Sequence, residues 1–180
     1  WRPIPRFGTW QKGKLRPIDD ALRSKLNAAQ CMSEALVCAS AHFGLHVARA
    51  FALRLGPSFA LALGTDDIAS AYRMIPCSHP QYSVVCLREP GSGRASFFLL
   101  PGLNFGLGCA PVHFDRFPEL VTYAARLLLA IPCDHFYDDT VAADLGSLIQ
   151  FSQSCLGELY SLLGLPFSAT KHVVGSASES

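Results

Sequence analysis

Residues 133–143 read CDHFYDDTVAA, an apolar stretch with two adjacent carboxylates, Asp138 and Asp139, at its middle. Adjacent like charges repel and resist burial, so the stretch has two readings. In one, the pair is a solvated turn between short strands at 133–137 and 140–143. In the other, a divalent cation compensates the charge, because hard cations such as magnesium select carboxylate oxygens. What the rest of the chain brings to the turn decides between them.

Upstream, FALALGTDDI at 59–68 is a short apolar run ending in Asp66 and Asp67, and it reads as a buried strand. A helical turn follows over 69–75, closed by Pro76. Residues 82–88 and 94–100 flank PGSG at 90–93, the signature of a hairpin. Residues 111–130 read as a helix with Pro111 in its first turn and a kink at Pro118. Ser147 is placed to cap a helix running to Leu163, with Gly164 at its stop, and 167–174 reads as a last strand. Nearer the amino end, 28–55 is helical in composition with a break near Gly44, while Pro3, Pro5, Gly8, Gly13 and Pro17 make 1–27 a set of extended arms and turns.

With the 82–100 hairpin set aside as an insertion, the order is strand, helix, strand-turn-strand, helix, strand. This α+β order is the β-α-β-β-α-β pattern of a split βαβ sheet. In such a sheet the first strand lies beside the pair that carries the Asp turn, which brings Asp67 toward Asp138. Three carboxylates at one sheet edge are hard to hold without cations. Two-metal sites use such a cluster to grip ions roughly 3.5–4 Å apart around a phosphoryl displacement. The topology therefore favours the metal over the turn.

The chain has 180 residues, half of them hydrophobic and 16% charged, enough for one full core and too few for two generous domains. It opens on Trp1 and closes on GSASES, which reads as a piece of a larger polyprotein. Charged residues such as Arg49, Arg54, Asp66 and Arg126 interrupt every apolar run short of the roughly 18 residues of a membrane span, so no membrane partner is expected. Seven scattered cysteines with no Cys-x-x-Cys pair suit a reducing, intracellular compartment and argue against a disulfide scaffold. The six histidines show no zinc-ligand spacing. Net charge is +1, but residues 1–27 hold seven basic residues against Asp19 and Asp20. A basic arm facing an acidic centre suits a polyanion on one side and metal ions on the other.

Taken in order, these blocks resemble the reverse transcriptases of retroelements over about residues 14–171. DDIASAYRMIP at 66–76 is similar to the first catalytic block of that family, with Asp67 as metal ligand and Tyr72 five residues on. FYDD at 136–139 is similar to the second, which implies Asp138 and Asp139 in the metal site. FGLGCAPVHF at 105–114 resembles the block between them, although Asn104 stands where the family usually has proline and Cys109 where serine is common. GKLRPIDDALRSKLN at 13–27 resembles the fingers block that meets the incoming triphosphate, and LGLPFSATK at 163–171 the block whose lysine lies near the departing pyrophosphate.

The resemblance implies an α+β right-hand polymerase palm with its split antiparallel sheet, partial fingers, and no thumb. Fingers elements fall at about 1–58 and 77–104, and palm at about 59–76 and 105–180, in one 180-residue domain fragment. It implies an RNA-directed DNA polymerase that adds deoxynucleotides to a primer 3′-hydroxyl by two-metal phosphoryl transfer, with Mg2+ (or Mn2+) as cofactor. The partners implied are a primed RNA or DNA template and deoxynucleoside triphosphates. Asp67, Asp138 and Asp139 would be the metal ligands and Lys171 a general acid to pyrophosphate. Lys14 and Arg16 would hold the triphosphate, Ile68 and Tyr72 the nucleotide, with Tyr72 excluding a 2′-hydroxyl, and Gly106 would admit template or base pair close to the backbone. Asp66 departs from the family's usual apolar neighbour and receives no role. Two alternatives stay open: an RNA-directed RNA polymerase, and a silent retroelement remnant that only binds RNA or protein.

Overall fold

The computed structural model describes residues 2–37, 40, 42–56 and 58–176. Cys38 and residues 39 and 41, which fall within the helix expected over 28–55, lie outside the described residues, as does most of the terminal GSASES. In chain order the elements are β1 (Ile4–Gln11), β2 (Lys14–Asp19), α1 (Phe43–Leu55), β3 (Leu61–Asp67), β4 (Val84–Arg88), β5 (Ala95–Leu99), α2 (Ala110–Leu128), β6 (Cys133–Phe136), β7 (Asp139–Leu145), α3 (Ile149–Leu162) and β8 (Val173–Ser176). The fold is α+β, with two four-stranded sheets among the described residues. The chain divides into two compact units, Trp1–Leu36 with Tyr72–Phe114, and Val37–Ala71 with Asp115–Ser180. Among the described residues no helix is long and apolar enough to cross a membrane.

The sheet of the first unit runs β2-β1-β4-β5. Within the extended arms and turns expected over 1–27, residues 4–19 form a hairpin. β1 and β2 pair antiparallel, and the two residues between them, Lys12 and Gly13, both have positive φ (49° and 72°). Two left-handed residues make the turn whose twist matches that of a hairpin. β4 and β5 form the second hairpin, as the PGSG turn predicts, and β4 pairs parallel with β1. That pairing sets Ile4 against Val85, both fully buried, at the centre of a core completed by Ala21, Leu107 and Ala110.

The helix expected over 28–55 is confined to α1. Ahead of it, Asn27–Ala29 make a single 3-10 turn, and Gln30 is already extended (φ −88°, ψ 138°). The reason lies in the side chains. Asn27 accepts from the N–H of Gly108 (3.0 Å) and donates to the carbonyl of Gly106 (2.9 Å), while Gln30 accepts from the N–H of Cys109 (3.1 Å). These residues serve the FGLGC loop instead of a helix.

The sheet of the second unit runs β6-β7-β3-β8, every neighbour antiparallel. Numbered by their order in this unit, the first strand lies between the third and the fourth, with the second at the edge. α2 precedes the strand pair and α3 follows it, so the β-α-β-β-α-β order is present in full. Pro118 sits inside α2, and the Thr122 hydroxyl donates to its carbonyl at 2.8 Å. α3 departs from expectation at its start. Its N-cap is Leu148 with no side-chain cap, not Ser147, because the chain leaves β7 through a tight turn in which the Leu148 N–H donates to the Leu145 carbonyl. Gly164, at φ 82°, follows its end as predicted.

The last strand is shorter and later than 167–174. Phe167 makes an isolated bridge to Ile68, and the chain then turns over 168–171, where the N–H of Lys171 donates to the carbonyl of Ser168. Pairing resumes only at Val173, opposite Thr65.

Candidate functional site

The second unit gathers the carboxylates. β3 and β7 pair in a register that sets Asp67 directly opposite Asp139 and Asp66 opposite Thr140. Residues directly opposite share a face of the sheet, so Asp67 and Asp139 stand on one side and Asp66 and Thr140 on the other. Asp138 sits in the two-residue turn from β6 to β7, which closes with Phe136 opposite Asp139. The turn is pinned to β3, because the N–H of Ile68 donates to the Asp138 carbonyl at 2.8 Å. It is also strained: Tyr137 has φ 54°, a left-handed conformation that costs a residue with a side chain about 1 kcal/mol or more.

Lys171 closes the group. Its ammonium donates to Asp67 Oδ1, and that bond, with the charges of Asp67, Asp138 and Asp139 behind it, raises the lysine pKa. Asp67 is almost wholly buried, and its carbonyl accepts from the N–H of Ser168 at 2.7 Å. Asp139 has its carboxyl pKa raised, first by loss of solvent and then by the charges of Asp138 and Asp67, against the lowering pull of Lys171. Ile68 is buried, and its N–H holds the turn.

The donor chemistry fits a hard divalent cation. All three groups are carboxylates, their mutual repulsion is visible at Asp139, and the one cation in contact among the described residues, the Lys171 ammonium, already stands on Asp67. As they stand, no three His, Cys, Asp or Glu side chains among the described residues close around a single point.

Asp66, to which the sequence reading gave no role, has a full set of partners on the opposite face. Gln153 of α3 donates Nε2 to Asp66 Oδ2 (2.9 Å), and His172 Nδ1 lies 2.7 Å from Asp66 Oδ1. Gln153 reaches this position only because Gly64 has no side chain: a Cβ there would sit 2.1 Å from Gln153 Cδ. The DD dipeptide of β3 is thus met from β8's side by the consecutive residues Lys171 and His172. Two adjacent acids facing two adjacent bases on antiparallel segments was the signal in the sequence that would have found this network.

Other buried polar groups support the strand below the turn. His135 Nε2 lies 3.2 Å from Asp115 Oδ1, and the Thr140 hydroxyl is 3.4 Å from the Tyr160 hydroxyl. Burial raises the Tyr160 pKa above its ordinary value, and it pushes the Cys133 thiol up to about 12, so neither ionises at neutral pH.

The remaining predicted residues belong to the first unit. Lys14 and Arg16, paired with Gln11 and Thr9, lie on one face of the β1–β2 hairpin and are exposed. They line a cavity of ≈ 590 Å³ together with Asp19, Arg73, Phe105 and Gly106. Gly106 has φ 106°, and a Cβ there would meet the Asp19 carbonyl at 2.1 Å, so only glycine fits. Tyr72 packs between Phe105 (ring centroids 4.9 Å) and Phe114 (4.7 Å). The structure therefore brings Asp67, Ile68, Asp138, Asp139 and Lys171 together in one unit, and Lys14, Arg16, Tyr72 and Gly106 in the other. No family model matches the sequence, and no curated protein matches it.

Proposed function

We propose that the chain is the fingers-and-palm part of an RNA-directed DNA polymerase of the reverse transcriptase kind, adding deoxynucleotides to a primer 3′-hydroxyl. One observation carries the reading: Asp67 and Asp139 stand directly opposite on neighbouring strands, with Asp138 in the turn pinned to the residue after Asp67. Three carboxylates from two distant segments are brought together by backbone bonds, with the Lys171 ammonium on Asp67 alone, and such a gathering of charge suits an external cation.

When bound, divalent magnesium would supply charge neutralisation of the triphosphate and activation of the primer hydroxyl. Asp67, Asp138 and Asp139 would hold it, and Asp67 would have to exchange the Lys171 ammonium for it. Lys171, its pKa raised by the carboxylates, is protonated at neutral pH and can give a proton to a departing pyrophosphate oxygen. Lys14 and Arg16 hold the triphosphate, Arg16 as a two-toothed fork. The Tyr72 ring, fixed between two phenylalanines, is the surface against which a sugar would pack and a 2′-hydroxyl would clash. In phosphoryl transfer, positioning and charge neutralisation do most of the work, and these residues supply both.

The test is extension of a DNA primer on an RNA template by one nucleotide, with magnesium or manganese, comparing the wild type with Asp138→Asn. Extension by deoxynucleotides that the substitution abolishes is the expected result. Extension by ribonucleotides in preference would turn the assignment to an RNA polymerase. No extension by either, also with the downstream sequence restored, would leave the silent remnant.

A further inference from the structure

The block that carries Asp67 and Tyr72 also contains Arg73, to which the sequence gives no part. We infer that Arg73 is a third cation of the cavity lined by Lys14 and Arg16, and that it binds the polyphosphate of the incoming nucleotide; this rests on the nucleotide reading above.

The cavity's one carboxylate is already neutralised. Asp19 has a side chain only 1% exposed and takes two short bonds from Arg6, Nε to Oδ1 at 2.6 Å and Nη2 to Oδ2 at 2.9 Å, across the β1–β2 ladder. A buried carboxylate held by a parallel guanidinium fork has its charge and its lone pairs met. Arg73 lies beyond that pair, its Nη2 3.9 Å from Asp19 Oδ2, too far for a hydrogen bond. Its Cζ stands 5.6 Å from the centre of the Phe105 ring, so the guanidinium is steadied by an aromatic face, and no hydrogen bond among the described residues takes its donors. The side chain is 37% exposed.

The backbone at Arg73 is fixed as well. Gly102 presses against it so closely that a Cβ would sit 2.3 Å from the Arg73 carbonyl, and the next turn is locked by the N–H of Leu103 donating to Ile75 (3.0 Å). Lys14, Arg16 and Arg73 thus bring three positive charges to one ≈ 590 Å³ cavity whose single acid is already paired with Arg6. An arginine needed only to pair Asp19 would stand within bonding distance of it. Surplus charge, a rigid mount and donors left available suit a ligand bearing several negative charges, and a triphosphate has that chemistry.

The test titrates the metal-free protein with inorganic tripolyphosphate by calorimetry, comparing wild type with Arg73→Gln and Arg16→Gln. Arg73→Gln is expected to weaken binding about tenfold, the scale of one charge-assisted hydrogen-bonded contact. Wild-type affinity in Arg73→Gln with a loss in Arg16→Gln would overturn the role of Arg73 and leave the nucleotide site standing. Unchanged affinity in both would overturn the site itself. A second measurement needs no variant: tripolyphosphate should protect Arg73 of the wild type from modification by phenylglyoxal, read by peptide mass, and equal modification with and without it would sink the proposal.

Discussion

Asp139 shows at the scale of one residue how a site works against its own fold. Burial and the neighbouring charges of Asp138 and Asp67 raise its carboxyl pKa, so the folded chain binds that proton more tightly than the unfolded chain does. By linkage, stability then falls as pH rises from the ordinary carboxylate range through the raised value, and above it the cost is fully present. Asp139→Asn should accordingly stabilise the metal-free protein at neutral pH, by about 0.5 kcal/mol for one solvent-screened like-charge contact. The gain should shrink toward about pH 3, where the wild-type carboxyl is itself neutral. Urea denaturation at both pH values checks this, and an equal gain at both would mean that charge is not the cause. Legibility at this scale was uneven. Asp67, Asp138 and Asp139 could be placed because two adjacent acids in an apolar stretch are costly wherever they fall. Arg73 could not, since an exposed arginine after an aromatic residue has no local signature, and its neighbours Asp19 and Phe105 lie far along the chain.

Among the elements, β3 is the most constrained. Its even positions Ala62, Gly64 and Asp66 are buried, and Gly64 and Asp66 meet Gln153 of α3, while Asp67 carries the site on the other face. Gly64→Ala would drive a methyl group into Gln153 and break its bond to Asp66, at a cost of roughly 2–4 kcal/mol. Shortening the offending side chain should recover part of that loss, so the double variant Gly64→Ala, Gln153→Ala is expected to be more stable than Gly64→Ala alone. Denaturant midpoints measure the difference, and a double variant no better than the single one would show that the clash is elsewhere. β3, β6, β7 and the β4–β5 hairpin were readable because turns and apolar runs bracket them. The β1–β2 hairpin was not: prolines and glycines interrupt both strands, and most of its residues are exposed, so no alternation marks a buried face. The helix expected across 28–55 failed for a related reason. Composition favours a helix there, but Asn27 and Gln30 are spent on a loop nearly eighty residues away.

For the molecule as a whole, charge is divided by sequence region, with seven basic residues in the first 27. On the proposed function, binding to a primed duplex is expected to be strongly salt-dependent and indifferent to base sequence. Replacing Lys12 and Lys25, both exposed, with glutamine should reduce the slope of log affinity against log salt by about 2 if each meets a phosphate. Fluorescence anisotropy with a labelled duplex gives the slope, and an unchanged value would place the duplex on another surface. The split βαβ order was legible because it follows from the succession of elements alone. Composition alone marks no boundary between the two units, because each is assembled from two separated segments. That interleaving has a consequence during synthesis. β3 leaves the ribosome about 70 residues ahead of β7, its partner, an interval of roughly 4–14 s at ordinary elongation rates. Throughout it, both edges of an apolar strand are open to other chains, the condition under which nascent polypeptides aggregate. Asp66 and Asp67 ride at the end of that strand as adjacent charges, and such gatekeepers keep an unpaired strand from pairing with strangers before its own partners arrive.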